Sequence, residues 1–528
     1  MKKILSLILC MTLLLSTFAI LTSCGGKKKG NDDDINYDID LSQKPTLEVL
    51  MPNSGKSIDA VNSDPNAALI EQLTGYKVNY TQLPSADAAK VLNTELMDKK
   101  EYDAIKLTKD QFSDLVDQDL LVDITDALEK FAPDLLANIS DESWEVVTVD
   151  GRIYGIPERA SSDNIENPLV LNYDLLLTLN LDVPETLADL TAVLKAMTEY
   201  LGKPALTFDR YTPLVHAISG AFGIHSVWQE YEVNGEKQVL FYMNAPRYNE
   251  YVEYMHGLYA AGYIDQEVPT LTASDAVTRF VNGFTSAQGA KAGALAGSLW
   301  SVPSIVTGLQ SNGVISANEA SGTLDNHLCY VRSIKENASD PEHVYRSSGY
   351  TYITAIPYYM AENAGYALDW MNSKIKDTET EDNFRQMVLG KEGVHWNYSP
   401  NEGYFPIDPA FQEKDTASYY MTGSNENKYT EYWKARVRKQ PELFRAWSEL
   451  MENADEVGVY NIVDFTPPIS EYTENRQKME EYAQDQFFIM LKEGTKNMSE
   501  YLSKLNGLQG GKDATDAIND WSKNVYSK

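Results

Sequence analysis

Six histidines, three cysteines and 77 acidic side chains are the groups from which this chain could build a catalytic or metal centre. Their spacing builds none of the familiar ones. His216, His225, His256, His327, His343 and His395 are scattered, with no two at the helical spacing that lets a pair share one metal ion. There is no H-E-x-x-H, no G-x-S-x-G, no phosphate-cradling P-loop, no G-x-G-x-x-G and no C-x-x-C. No twelve-residue loop carries the alternating Asp/Asn ligands of a calcium site. The carboxylate pair of a glycosidase has no fixed spacing in sequence, so the acidic residues leave a surface glycan hydrolase open. No metal and no cofactor is expected.

The elements that would position a site must come from a chain of 528 residues, long enough for more than one compact unit. Its formal charge of −32 argues against nucleic acid or an anionic bilayer as the surface partner, since both need a basic face. Apolar residues make up 43%, enough for a folded body, and the 33 Tyr against 15 Phe suit surfaces that are apolar and wet at once.

At the N-terminus, Lys2 and Lys3 precede an apolar run from Ile4 to Leu21, the layout of an export signal rather than a membrane span. The run ends in Leu21-Thr22-Ser23-Cys24-Gly25, which resembles a bacterial lipobox. That resemblance implies removal of residues 1–23 and lipidation of Cys24. Residues 24–45, rich in Gly, Lys, Asn and Asp, read as a flexible tether. Cys10 leaves with the signal, so Cys329 is the one thiol left, and it reads as a small buried hydrophobe.

Strand signals at Leu47 to Met51, Lys77 to Leu83 and Tyr102 to Leu107 alternate with a helical segment from Asp87 to Lys100, the signature of a parallel α/β sheet. Ligands of such sheets sit at the carboxyl ends of strands, which puts Asn53, Ser54 and the residues after Leu107 on a candidate rim. Further on, Thr186 with Asp189 caps a helix through Leu190, Leu194 and Met197. A second helix runs from Pro246 towards Gly262, and a third carries Met479, Ala483, Phe487 and Met490 on one face.

Asp150-Gly151-Arg152-Ile153-Tyr154-Gly155-Ile156-Pro157 is physically a tight turn, a short strand and a proline-limited exit. It resembles the D-G-K-x-Y-G-x-P segment of the carbohydrate-type extracellular solute-binding proteins of ABC importers. The match continues through Asn172-Tyr173-Asp174 and Leu181-Asp182-Val183-Pro184-Glu185-Thr186. It extends to Leu258-Tyr259-Ala260-Ala261-Gly262-Tyr263-Ile264-Asp265, to Phe284 through Trp300, and to Gly390-Lys391-Glu392-Gly393-Val394-His395-Trp396 of a large lipoprotein branch. The resemblance implies an α/β, two-lobe periplasmic-binding-protein-like fold (type II), each lobe a mixed sheet flanked by helices, with a hinge between. Lobe 1 is expected over 46–160 and 335–395, and lobe 2 over 161–334 and 396–528.

It also implies a binding protein rather than an enzyme, a monomer that captures a carbohydrate, at this chain length an oligosaccharide, by hinge closure and hands it to the transmembrane permease. The expected place is the outer face of the cell membrane, on a Gram-positive surface. A sensor presenting bound sugar to a membrane receptor is the alternative. Sugar recognition pairs aromatic faces with polar groups for the hydroxyls. On that logic Trp300, Trp396 and Trp228 are the expected stacking rings, with Asn53, Ser54, Glu158, Arg159, Asp209 and Arg210 as polar partners.

Overall fold

The apolar run Leu47–Met51 is buried along nearly its whole length, as a strand covered on both faces must be. A computed structural model describes residues 35–160, 165, 167–286 and 289–526. The expected signal peptide 1–23, Cys24 and the expected tether as far as residue 34 lie outside the described residues. The strands that organise the chain are β1 (Leu47–Met51), β2 (Val78–Gln82), β3 (Ala104–Leu107), β4 (Ile156–Arg159), β5 (Leu169–Asn172), β6 (Leu206–Thr207), β7 (Ala294–Ala296), β8 (Leu328–Val331), β9 (Val344–Tyr345), β10 (Tyr350–Ala355) and β11 (Gly458–Val459). The helices that matter for the site are α1 (Lys109–Asp117), α2 (Leu187–Leu201), α3 (Tyr248–Ala260), α4 (Ala273–Asn282), α5 (Val302–Ser311), α6 (Ala364–Ile375), α7 (Glu426–Val437), α8 (Pro441–Leu450) and α9 (Ser470–Glu493).

Two mixed sheets result, which is the architecture expected. The first has the order β2-β1-β3-β10-β4, with β1 parallel to β2 and β3 and with β10 antiparallel to both its neighbours. The second has the order β8-β5-β7-β6, with β7 antiparallel to β5 and parallel to β6. Among the described residues the chain passes between the two layers at 332–349 and 438–440. Near the first of these β9 pairs in parallel with β11, Val344 against Gly458 and Tyr345 against Val459.

Three of these helices begin where a threonine caps them. Thr108, Thr186 and Thr272 each close a reciprocal capping box with the residue three positions on. In the Asp150-Gly151 turn both residues have positive φ, 51° and 77°, which joins the flanking Thr148–Val149 and Arg152–Ile153 strands as a tight hairpin. Gly155 is required by close approach, because a Cβ there would stand 2.6 Å from the Ile353 side chain of β10.

Two expected boundaries change. Residues 35–44, read as the end of the tether, pack on the first layer. Ile35 is buried, Tyr37 stacks on Phe131 at 5.9 Å, and Lys44 pairs with Asp369 at 2.5 Å. The alternation Ile35, Tyr37, Ile39, Leu41 inside an acidic stretch is the cause, since those side chains bury while the Asp and Asn between them face water. Residues 396–437, assigned from sequence to lobe 2, also pack on the first layer. Tyr420 donates to the Val61 carbonyl at 2.8 Å, and Asn425 to the Ile375 carbonyl at 3.2 Å. Only from Pro441 does the chain join the second sheet. There the buried Glu442 accepts from the Tyr330 hydroxyl at 2.7 Å and pairs with Arg445. Helix α8 thus covers one face of the second sheet together with α4 and α5, while α2, α3 and α9 cover the other.

Under the first sheet, Lys106 is fully buried. Its ammonium meets the Glu158 carboxylate at 2.7 Å and donates to the carbonyls of Ser418, Tyr419 and Met421 at 3.3, 3.1 and 2.8 Å. Burial pushes the Glu158 carboxyl up, with the Lys106 charge opposing it. Removing one partner would strand the other charge in a dry interior. Glu158→Ala is expected to lower unfolding stability by about 3–5 kcal/mol, read by urea denaturation. A loss below about 1 kcal/mol would show that the pair is not structural.

Candidate functional site

The carboxyl ends of β3 and β6 face each other across the junction of the two layers, and a cavity of about 610 Å³ lies between them. From the first layer it is lined by Lys109, Asp110 and Ser113 of α1 and by Tyr350, Thr351 and Tyr352 of β10. The second contributes Tyr211 to Leu214 and His216. The segment Asn461 to Ile469 and α9, through Tyr472, Arg476 and Glu480, close the remaining wall. Six tyrosines (Tyr211, Tyr242, Tyr345, Tyr350, Tyr352 and Tyr472) line it.

Local structure explains why these side chains converge. The Thr108 capping box starts α1 where β3 ends, which puts Lys109 in the first turn at the rim. The Lys109 ammonium donates across the layers to the carbonyls of Val463 and Asp464, at 2.7 and 3.0 Å. Burial pulls its pKa down to about 8, with the Asp464 charge pulling the other way. Asp110 is ion-paired with Arg476 of α9, whose Nε also meets Glu480 at 3.0 Å. Burial raises the carboxyls of Glu480 and Asp464, and Asp464 accepts from Asn461 at 2.8 Å. His216 stacks on Tyr345 of β9 with centroids 4.4 Å apart, and its Nδ1 lies 3.2 Å from the His225 carbonyl. The wall is therefore mixed, with ring faces for apolar surface and hydroxyl, amide and carboxylate groups for hydroxyls.

The residues expected from sequence fall in different places. Trp228 is fully buried on a hairpin strand against Phe241 and Tyr472, and Trp396 is 4% exposed with its Nε1 donating to the Gly390 carbonyl at 2.9 Å. Both are core rings, which corrects their expected stacking role. Their flanking sequence offers no sign of this, because a tryptophan beside polar residues fits core and cleft equally.

Trp300 is 42% exposed on the loop after β7 and meets Trp433 of α7 edge-on at 5.5 Å. It lines a separate groove between α4 and α5 rather than the cavity.

The polar candidates are mostly committed. Asn53 donates to the Leu83 carbonyl at 3.2 Å, and Ser54 donates to the Gln82 side chain at 2.6 Å, so both brace the rim loop. Glu158 is committed to Lys106 and to Thr351. Arg159 donates to the Ser348 carbonyl at 2.9 Å, pairs with Glu142 at 2.8 Å and lies over Tyr350. Both are thus engaged by other parts of the chain, and neither is among the residues lining the cavity. Asp209 caps the turn by accepting from the Tyr211 amide at 2.7 Å, and Arg210 lies over the Tyr211 ring at 4.6 Å. Neither lines the cavity, but they present the next residues, Tyr211 to Leu214, which do.

Sequence reasoning missed Lys109, Tyr345, Tyr350, Tyr352 and Arg476. The rule that placed the residues after Leu107 on a rim could have found Lys109. Nothing local marks the others, because distant segments bring them in.

Residues 67–305 match the family model described as bacterial extracellular solute-binding protein. The chain is 29% identical over 279 residues to a Niallia circulans protein described as an uncharacterized protein in the butB 5' region, covering 52% of this chain and 99% of that one. It is 27% identical over 287 residues to the fructooligosaccharide ABC transporter substrate-binding protein FusA of Streptococcus pneumoniae, covering 48% of this chain and 52% of FusA. The FusA EF-hand mutant in complex with fructo-nystose shares the fold at a TM-score of 0.64, with 16% identity, over 91% of this chain and 99% of that one. So does an HMO binding ABC-transporter associated solute binding protein from Bifidobacterium longum infantis, at 0.64 and 16% identity, over 92% of this chain and all of that one.

Burial holds His216 and His225 down to about 4, whereas an unfolded histidine takes its proton near 6.5. The unfolded chain therefore binds protons first as pH falls. Stability from these two groups is whole above pH 6.5 and is lost as pH drops from 6.5 towards 4, at most about 1.4 kcal/mol per pH unit for each. Urea denaturation between pH 7 and 4.5 should show a shallower decline in His216→Gln than in the parent. Equal slopes would mean that His216 titrates freely in the folded state.

Proposed function

From a chain that carries the fold of the bacterial extracellular solute-binding proteins and, over residues 67–305, their sequence pattern, we propose a capture protein for an oligosaccharide import system. The ligand is held in the cavity between the carboxyl ends of β3 and β6 and is delivered to the transmembrane permease. One observation carries this reading. Tyrosine faces and hydrogen-bonding groups from both layers line one cavity of about 610 Å³, beside the pairing of β9 with β11. The sugar ligand of FusA and the name of the Bifidobacterium protein support the carbohydrate class. Catalysis is disfavoured because the lining carboxylates are engaged, Asp110 and Glu480 by Arg476 and Asp464 by Asn461, which leaves no ready acid and base for glycoside cleavage.

The same reading takes lobe 1 as 35–160, 335–395 and 396–437, and lobe 2 as the second sheet with α8 and α9. It places Trp300 on the outer rim, where a longer glycan leaving the cavity would stack. It also takes Cys24 as the lipidated residue that holds the body outside the membrane. No helix among the described residues is long and apolar enough to cross a membrane.

An oligosaccharide that binds should raise the apparent unfolding stability by about 2.7 kcal/mol at a hundredfold excess over its Kd. Tyr211, 63% exposed, can be removed without disturbing the core. Tyr211→Ala should weaken binding about tenfold, a loss of ~1.4 kcal/mol, with an unchanged unfolding midpoint. Trp300→Ala should weaken long chains and spare short ones. A protein stabilised by peptides and by no sugar would defeat the carbohydrate assignment. Mass spectrometry of the mature N-terminus should find a diacylglyceryl Cys24, and Cys24→Ala should release the protein into the medium; a retained Cys24→Ala protein would remove the anchor.

A further inference from the structure

Among the described residues, every charged group lining the cavity already has hydrogen-bond or ion-pair partners within the protein. The described lining holds two cations, Lys109 and Arg476, against three carboxylates, Asp110, Asp464 and Glu480. Lys109 has three N–H bonds to give, and three acceptors stand within reach. They are the carbonyls of Val463 and Asp464, at 2.7 and 3.0 Å, and the Thr466 hydroxyl at 3.4 Å. Arg476 is paired with Asp110 on one lobe and with Glu480 on its own helix. His216, the remaining basic ring in the lining, is stacked on Tyr345 and bonded to a carbonyl. Arg210 stands beside the mouth, outside the lining, with its guanidinium bonded to the Tyr211 hydroxyl and lying over that ring.

We infer that this cavity selects uncharged oligosaccharides and rejects sugar acids. The inference rests on the carbohydrate reading above and narrows it. A ligand carboxylate entering the cavity would lose its water without gaining a free cation, unless it broke the Arg476 pairs or drew Lys109 away from its three neutral acceptors. It would also face Asp110, Asp464 and Glu480, and like charge in a confined site is a specificity device in itself. Sugar hydroxyls meet the opposite situation. The spare lone pairs of the same carboxylates accept charge-assisted hydrogen bonds from them.

The test uses matched pairs on the full soluble body of the protein. Neutral fructo- and malto-oligosaccharides are screened by thermal shift and then calorimetry. Each one that binds is compared with the same chain whose terminal hydroxymethyl group has been oxidised to a carboxylate. The oxidised form should bind at least about 100-fold more weakly. Asp110→Asn/Glu480→Gln frees Arg476, and in that variant the penalty against the oxidised form should shrink at least tenfold. Oxidised and neutral chains binding alike in the parent would overturn the charge selection and leave the carbohydrate reading standing. A penalty unchanged in a folded double variant would overturn it too, because the pairing of Arg476 would then not be its cause. If the double variant does not fold, the parent comparison decides alone. Silence towards every oligosaccharide, neutral or oxidised, would bring down both readings together.

Discussion

The buried ammonium of Lys106 joins pieces of chain that are more than three hundred residues apart. Carried on β3, it meets the Glu158 carboxylate on β4 and the carbonyls of Ser418, Tyr419 and Met421. A charge in so dry a place is tolerable only when each of its donors has an acceptor, so the site admits one arrangement of the three segments and few others. Lys374 repeats the device, donating to the Tyr420 carbonyl at 3.0 Å from a position over the Trp370 ring. Between them the two lysines hold residues 418–421 against the first sheet. Tyr419 is thereby delivered to the rim, where its hydroxyl donates to the Pro52 carbonyl at 2.9 Å and braces the loop that carries Asn53 and Ser54. The loop after β1 is thus shaped by a charge buried beneath it.

The junction of the layers is built on the same principle, with neighbours rather than ligand satisfying the polar groups. Arg159 is clamped by the Ser348 carbonyl and Glu142 and lies over Tyr350, so the end of β4 is fixed to the start of β10. Lys109 reaches from α1 to the carbonyls after β11, and Asp110 reaches Arg476 on α9. These contacts hold the cavity walls together across the layers. They also engage both cations of the described lining, Lys109 with carbonyls and Arg476 with carboxylates.

Tyrosine shows how composition can point to a chemistry without locating it. The excess of Tyr over Phe suited a wet cleft, and six tyrosines do line the cavity. Yet Tyr76, Tyr102, Tyr248, Tyr251, Tyr420 and Tyr432 are among the largest fully buried side chains, each an ordinary core ring whose hydroxyl, in several cases, reaches a carboxylate or carbonyl at the edge of the core. Tryptophan misled in the other direction. Trp228 and Trp396 stand in polar surroundings along the chain and in apolar ones in space.

Local features were legible from the residues alone. The capped helix after Thr186, the first three strands, the Asp150-Gly151 turn and the rim beyond Leu107 all follow from short-range sterics, capping and hydrophobic periodicity, which act within a few residues. Their order pointed to a parallel α/β sheet, and the two mixed sheets followed from the family resemblance. What the tertiary structure alone decided is which side chains share a space. Residues 396–437 joined the first layer and Pro441 onward the second because of buried polar contacts made with Val61, Ile375 and Tyr330, none of them near in sequence. Glu158 and Arg159, adjacent polar residues at a strand end, became structural because Lys106 and Ser348 happened to complete their hydrogen bonds. A polar side chain reads the same along the chain whether its partner is a ligand or another residue, and only packing in three dimensions supplies the partner.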